Sequence, residues 1–277
     1  MKEVKQFIFF VSILLSMAVL EIIAPRRSLP GNKIRRWRDN LGIVLVNSYL
    51  VRLIIPVMPT AMAVIVDQHK IGLLNTIFLL YWLSLLISII ILDFIIYLQH
   101  VMFHIVPLLW LFHMVHHADI AIDATTGLRF HPIEIICSMG IKLMAIYLLG
   151  PPALAVLIFE IILNGLAMFN HSNIYIPLLL DALIRLFIVT PDMHRVHHSV
   201  MIHEMNSNFG FNIALWDRIF GTYTAQPQSG HTHMTLGMAP YRDIRKQHML
   251  WMLALPFIGK KGGNINVLRH KRKSASD

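Results

Sequence analysis

A single cysteine, Cys137, stands among the 277 residues, which excludes an intramolecular disulfide and any site built from several thiolates. A bound metal would have to be held by histidine or oxygen. Charge is also scarce: charged residues make up 14% of the sequence, hydrophobic ones 56%, and the mean hydropathy is +0.62. That little polar surface cannot cover a soluble domain, so the composition suits a bilayer as solvent. No Ser/Gly/Pro-rich linker, low-complexity run or internal repeat divides the chain, and residues 1–277 read as one membrane domain. Acidic residues number 15 against 24 basic ones, for a net charge of +9. The excess gathers in Arg26, Arg27, Lys33, Arg35, Arg36 and Arg38, and in a tail with Lys260, Lys261, Arg269, Lys271, Arg272 and Lys273. Beside apolar spans, such runs read as topology-setting charge near anionic headgroups, and no nucleic-acid partner is expected.

About 20 apolar residues are needed to cross the hydrocarbon core. Phe7–Ala24, Leu41–Val66 and Ile71–Leu98 meet that need, and Ile133–Leu149 and Pro152–Asn170 form a hairpin around Gly150, Pro151 and Pro152. Positive charge follows the first span, which predicts a retained span with its N-terminus outside rather than a cleaved signal. With 26–38 inside, the spans bring His100, Asn170 and His171 back to the cytosolic side. The expected organisation is N-terminal spans over 7–98, a histidine-rich catalytic region over 99–225 that includes the hairpin 133–170, and a basic cytosolic tail over 226–277. Lys142 and Glu160 lie nine residues either side of Pro151, at similar depth on antiparallel helices, and are expected to pair. Arg52, Pro56 and Pro59 predict a kinked or partly re-entrant second span.

Eight of the sixteen histidines fall in three short clusters. His100 and His104 form H-x-x-x-H; His113, His116 and His117 form H-x-x-H-H; His194, His197 and His198 repeat it. On a helix, positions i, i+3 and i+4 share a face, so each cluster aims its imidazoles at a common point. Eight imidazoles exceed the ligand capacity of one ion, and two ions are expected. Asp93, Tyr97, His100 and His104 make one helical stripe, so Asp93 is expected to accept a ligand imidazole's second N–H. Pro107 breaks the apolar run Ile105–Phe112 and turns His113 back towards His104. That run would also suit an acyl chain near the metals.

These residues resemble the fatty acid hydroxylase/sterol desaturase superfamily. The matching segments are Asp93-x-x-x-Tyr97-x-x-His100-x-x-x-His104, Leu109-Trp110-x-Phe112-His113-x-x-His116-His117, Arg129-x-His131-Pro132-x-Glu134, Phe169-x-His171-Ser172-Asn173 and Thr190-Pro191-x-x-His194-Arg195-x-His197-His198-Ser199, followed by Asn208-Phe209-Gly210 and Leu215-Trp216-Asp217-Arg218-x-Phe220-Gly221-Thr222. The resemblance covers about residues 90–225. It implies an all-α integral membrane fold of four to five transmembrane or re-entrant helices under a cytosolic helical cap. It also implies a non-haem site of two iron ions that activates O₂ to hydroxylate or desaturate a fatty acyl, sterol or ether lipid. His171 is carried over as a further ligand, and His131 as a ligand or as a residue supporting one. Val101 and Phe209 stand where members often have arginine and tyrosine, and Ala167 stands where some members have a further histidine.

Imidazole suits iron, copper and zinc alike, so spacing does not choose the metal, and isolated protein could carry zinc. Electrons are expected from a separate reductase, ferredoxin or small cytochrome. His69, His203, His231, His233, His248 and His270 lack convergent spacing and are expected on the surface or in loops. Two other classes remain open: a metal-dependent lipid hydrolase or isomerase that needs no O₂, and a metal transporter. The latter would place its histidines along the spans rather than past their ends.

Overall fold

The computed structural model describes residues 2–259, so the basic tail from Lys260 to Lys273, with His270, lies outside the described residues. Backbone in lipid must satisfy its own hydrogen bonds, and the apolar runs accordingly form helices. α1 (Lys2–Ile23) is followed by α2 (Lys33–Ile54), whose N-cap Asn32 accepts from the Arg35 N–H at 3.0 Å. Residues ahead of a proline are pushed out of helical conformation, and proline is well suited to begin a helix. α2 therefore stops before Pro56, and α3 (Pro59–Gln68) starts on Pro59. The expected second span is thus two helices with a break between them, and Arg52 lies exposed just ahead of it.

The third expected span, Ile71–Leu98, becomes helical later than hydropathy alone predicts, because Gly72 has φ +92° and the Asn75 side chain donates to the Ile71 carbonyl at 2.6 Å. A Cβ on Gly72 would lie 2.4 Å from the Gly150 nitrogen. Only glycine permits this contact between the turn after α3 and the later hairpin. α4 (Tyr81–Ile105) ends at Val106, and Pro107 opens α5 (Pro107–His117). α6 (Pro132–Leu149) and α7 (Ala153–Asn170) flank the Gly150–Pro152 hairpin, with Lys142 Nζ 2.6 Å from Glu160 Oε1.

Among the described residues, four segments are long and apolar enough to cross a membrane: Lys33–Asn75, α4, α6 and α7. The apolar stretch Ile8–Ile23 of α1 accompanies them, in agreement with the four to five transmembrane or re-entrant helices expected. α3 packs on α6 and α7, and α4 on α7. Leu92, Ile96, Ile146, Val156 and Phe159 fill the space between them.

Past the helix ends lie the short elements α8 (Leu178–Ile184), α9 (Pro191–His197), α10 (Ile202–Met205), α11 (Leu215–Ile219), α12 (Gly230–His233) and α13 (Met249–Ile258). This cap is tied to the spans by buried charge. Arg36 of α2 donates to Asp119 at 2.8 Å and to Asp123 at 2.5 Å, and Arg26 donates to Asp192 at 3.0 Å. The basic segment 26–38 therefore packs on the same cap that carries the histidines. Among the described residues the structure forms only isolated β-bridges, without strands.

Candidate metal centre

Helix ends bring the histidines together. His100 and His104 occupy the last turns of α4, and the Val106–Pro107 break folds α5 back so that His113 lies 4.9 Å from His104 between ring centroids. His171 is the C-cap of α7. α9 is started by Pro191 and by Thr190 Oγ1, which accepts from the Met193 N–H, and it presents His194 and His197, with His198 as its C-cap. A Cβ on Gly127 would meet the Ala167 carbonyl at 2.2 Å and His171 Nδ1 at 3.1 Å, so glycine lets the 124–128 turn lie against the end of α7. All nine histidines are buried.

The nine rings divide into two groups. His100, His104, His113, His117 and His197 form one, and His116, His171, His194 and His198 form the other; within each group the candidate ligand atoms lie within 4.8 Å of one another. His100 and His104 point at a single place as expected, but neither H-x-x-H-H cluster does. Residues i and i+4 stay together, as in 100/104, 113/117 and 194/198, while the i+3 residue serves the neighbouring group. The cause is helical geometry: i+4 returns within about 40° of i, whereas i+3 falls about 60° to the other side. His116 and His117, adjacent in sequence, thus belong to different groups, as do His197 and His198.

The nitrogen atoms are arranged as a metal site requires. His100 Nδ1 lies 2.8 Å from the Phe209 carbonyl, His197 Nδ1 2.8 Å from that of Ser207, His171 Nδ1 2.7 Å from that of Ala167, and His113 Nδ1 2.6 Å from Glu134 Oε1. An acceptor on Nδ1 holds the proton there and leaves Nε2 as a bare lone pair. Nε2 of His100, His113 and His197 is buried and finds no hydrogen-bond partner among the described residues. Elsewhere Nε2 atoms face one another: His104 to His117 at 3.1 Å, His171 to His116 and to His194 at 3.0 Å, and His194 to His198 at 3.3 Å. Two imidazole nitrogens on one ion at about 2.1 Å, subtending about 90–109°, stand about 3.0–3.4 Å apart. The donor set and its spacings fit two metal ions.

Burial, reinforced by the neighbouring rings, holds His116, His117, His194, His197 and His198 well below the ordinary histidine pKa. Burial likewise lowers His171 to about 4. At neutral pH these rings are uncharged and their lone pairs available. Phe130 stacks on His116 at 4.5 Å, and Phe103, Trp110 and Phe209 close the remaining walls.

Several expected partners go elsewhere. Asp93 is buried but does not receive an imidazole N–H; it accepts from Asn212 Nδ2 and Trp216 Nε1, both at 2.7 Å, and so fastens the 212–216 segment to α4. His131 lies outside both groups and caps α6, with Nδ1 accepting from the Ile133 N–H at 3.2 Å and Nε2 lying 3.3 Å from the Leu253 carbonyl. His231 is buried rather than superficial, with Nε2 2.9 Å from Gln226 Oε1 and 3.6 Å from Asp192.

Two residues whose roles the sequence reading missed stand behind the ligand candidates. Glu134 is the carboxylate that meets an imidazole. Asp217 accepts from the Phe209 and Gly210 N–H groups at 2.7 Å and from Thr222 Oγ1 at 2.6 Å, and so fixes the segment whose carbonyls at 207 and 209 orient His197 and His100. Both occur in the segments used for the family resemblance, which is the signal that could have singled them out.

The fatty acid hydroxylase family model matches residues 85–222, a stretch that includes every histidine of both groups. Ornithine lipid hydroxylase OlsE of Rhizobium tropici is 28% identical over 190 residues, 69% of this chain and 54% of that protein. Alkylglycerol monooxygenase of Xenopus tropicalis is 29% identical over 57% of this chain and 35% of its own length, and the Homo sapiens protein of that name 28% identical over 61% and 37%. This chain therefore spans between about a third and a half of the curated relatives it matches. No solved structure matches it significantly. The family model and these relatives place the chain in the fatty acid hydroxylase/sterol desaturase superfamily, to which it belongs.

Proposed function

We propose that the protein is a membrane-bound lipid hydroxylase in which His100, His104, His113, His117 and His197 hold one iron ion and His116, His171, His194 and His198 hold a second. One observation carries the reading: nine buried imidazoles form two adjacent groups in which the Nε2 atoms either face one another or stand without a partner. The names of the relatives describe hydroxylation of an ornithine lipid and monooxygenation of an alkylglycerol, which favours hydroxylation of a lipid carrying acyl or alkyl chains over desaturation. Iron at this site supplies the activation of O₂ by external electrons, chemistry that side chains lack.

The chain's own groups position, dry and orient. Nδ1–H of His100, His113, His171 and His197 stays on its outward acceptor, which keeps each Nε2 turned inward. Phe103, Trp110, Phe130 and Phe209 exclude water from the rings. Ile105 and Leu108, exposed where α4 meets α5, offer an apolar edge to the substrate chain beside the site. Packing of the 26–38 segment on the cap supports a cytosolic site, since basic segments are retained on that side. Lys33, Arg35 and Arg38 remain accessible there for an acidic electron carrier such as a reductase, ferredoxin or small cytochrome.

The test is growth under isotopically labelled O₂, comparing lipids made with the intact protein and with a His116→Ala, His197→Ala double variant. A hydroxylated lipid that carries the label and appears only with the intact protein supports the reading. A lipid altered without label would indicate a metal-dependent hydrolase or isomerase, and identical lipid profiles would count against the enzyme.

A further inference from the structure

Between His171 and His194, which belong to the same histidine group, the chain runs through α8 with its polarity inverted. A helix on a water-facing surface turns its charges outward and its leucines inward. Here Leu178, Leu179, Leu180, Leu183, Leu186 and Phe187 are exposed, Leu179 by 77% and Phe187 by 73%, while the two charges, Asp181 and Arg185, are 3% and 5% exposed. Asp181 and Arg185 pair with each other, and Arg185 Nη1 donates inward to the Ala225 carbonyl at 2.8 Å. The exposed face carries no charge at all.

This face is continuous at both ends with the apolar helices. Upstream, Tyr175 N–H donates to the Ala24 carbonyl at 2.7 Å, and Ile174 bridges Pro25, so the segment starts beside the exposed Ile22 and Ile23 of α1. Downstream, Ala214 N–H donates to the Phe187 carbonyl at 3.0 Å and leads into α11, where Ile219 and Phe220 are exposed and Phe220 stacks on Phe94 of α4 at 5.5 Å. An apolar belt, interrupted only at α11 by the half-buried Arg218, which lies over the Tyr223 ring, therefore joins α1 to α4 along the cap.

We propose that residues 175–188 lie in the bilayer surface as an interfacial helix, with the leucine and Phe187 side chains among the acyl chains. The segment is too short to span, and its buried Asp181–Arg185 pair marks the side turned to the cap. It holds the metal cap down against the membrane at the stretch of chain that leads from one histidine of a group to the next. The inference rests on the long helices being in a bilayer and is independent of the proposed chemistry.

The experiment uses the full chain with Cys137→Ser and one new cysteine, Leu179→Cys or Phe187→Cys, labelled with an environment-sensitive fluorophore in phosphatidylcholine/phosphatidylglycerol nanodiscs. Thr232→Cys, at an exposed position on α12, is the reference. Positions 179 and 187 are expected to emit to the blue of position 232, to be quenched at least twofold by a nitroxide on the fifth acyl carbon, and to resist aqueous iodide. Iodide quenching equal to that at 232 would overturn the proposal in favour of a solvated face. Protection from both quenchers would overturn it in favour of a contact with protein, including a second copy of this chain. Neither readout depends on enzyme activity.

Discussion

Glu134 Oε1 stands 2.6 Å from His113 Nδ1, and both residues are buried. It is the single carboxylate of the described residues that meets a ring of either histidine group directly, and it meets the five-membered one. A carboxylate behind a ligand imidazole raises the ring's basicity and holds its orientation. Glu134→Gln keeps the shape and removes the charge. Metal retention by the five-histidine group is expected to fall by about 10–100-fold in chelator competition, with the second ion lost at its original chelator concentration. Equal weakening of both ions would show that Glu134 does not act through His113.

The two H-x-x-H-H motifs split between sites, and this makes a counting experiment possible. His194→Ala with His198→Ala removes two rings from the same group, whereas His194→Ala with His197→Ala removes one ring from each. Elemental analysis of purified protein should find about one ion per chain in the first double variant. In the second, both ions should be weakened. Matching metal contents in the two variants would contradict the division into groups.

What the sequence made legible and what it concealed separate by range. The break at Pro107, the Gly150–Pro152 hairpin and the Lys142–Glu160 pair follow from local rules of proline, turns and depth, and each is present. The i+3 crossover was concealed because one helical cluster does not reveal that a second centre stands beside it. The helical stripe points Asp93 to an imidazole on its own helix, but Asn212 and Trp216, more than a hundred residues later, supply its donors; such a partner is set by tertiary packing. α8 was concealed for another reason: a leucine-rich run of seven residues has the same spacing whichever face it turns outward.

Asp217 lies behind the loop that orients His100 and His197. Its carboxylate receives the Phe209 and Gly210 N–H groups, and the Phe209 carbonyl then accepts from His100. Asp217→Ala leaves two buried N–H groups unpaired, at about 1–3 kcal/mol each. A lower melting temperature and loss of metal from the five-histidine group are expected together. Asp217→Asn, which retains one carbonyl acceptor, should fall between the two in both measurements. A variant that melts lower yet binds metal as tightly as the intact protein would show that Asp217 stabilises the loop without orienting the rings.

Removing the metal should make the protein sensitive to mild acid. Burial holds His171 and His231 near 4, against about 6.5 for an unfolded histidine, and lowers His116, His117, His194, His197 and His198 as well. Below pH 6.5 the unfolded chain binds protons that the folded chain refuses, so stability falls as pH falls, by up to about 1.4 kcal/mol per pH unit for each such group. The loss begins near 6.5 and ends for His171 and His231 at about 4; above 6.5 these groups exert no pH dependence. Melting curves of chelator-treated protein in detergent, taken from pH 8 to pH 5, should be flat in the upper part of that range and drop steeply below 6.5. Metal-loaded protein should hold its melting temperature to lower pH, because ions on the Nε2 lone pairs compete with protons for the same atoms. Identical acid profiles with and without metal would mean that the ions are bound elsewhere.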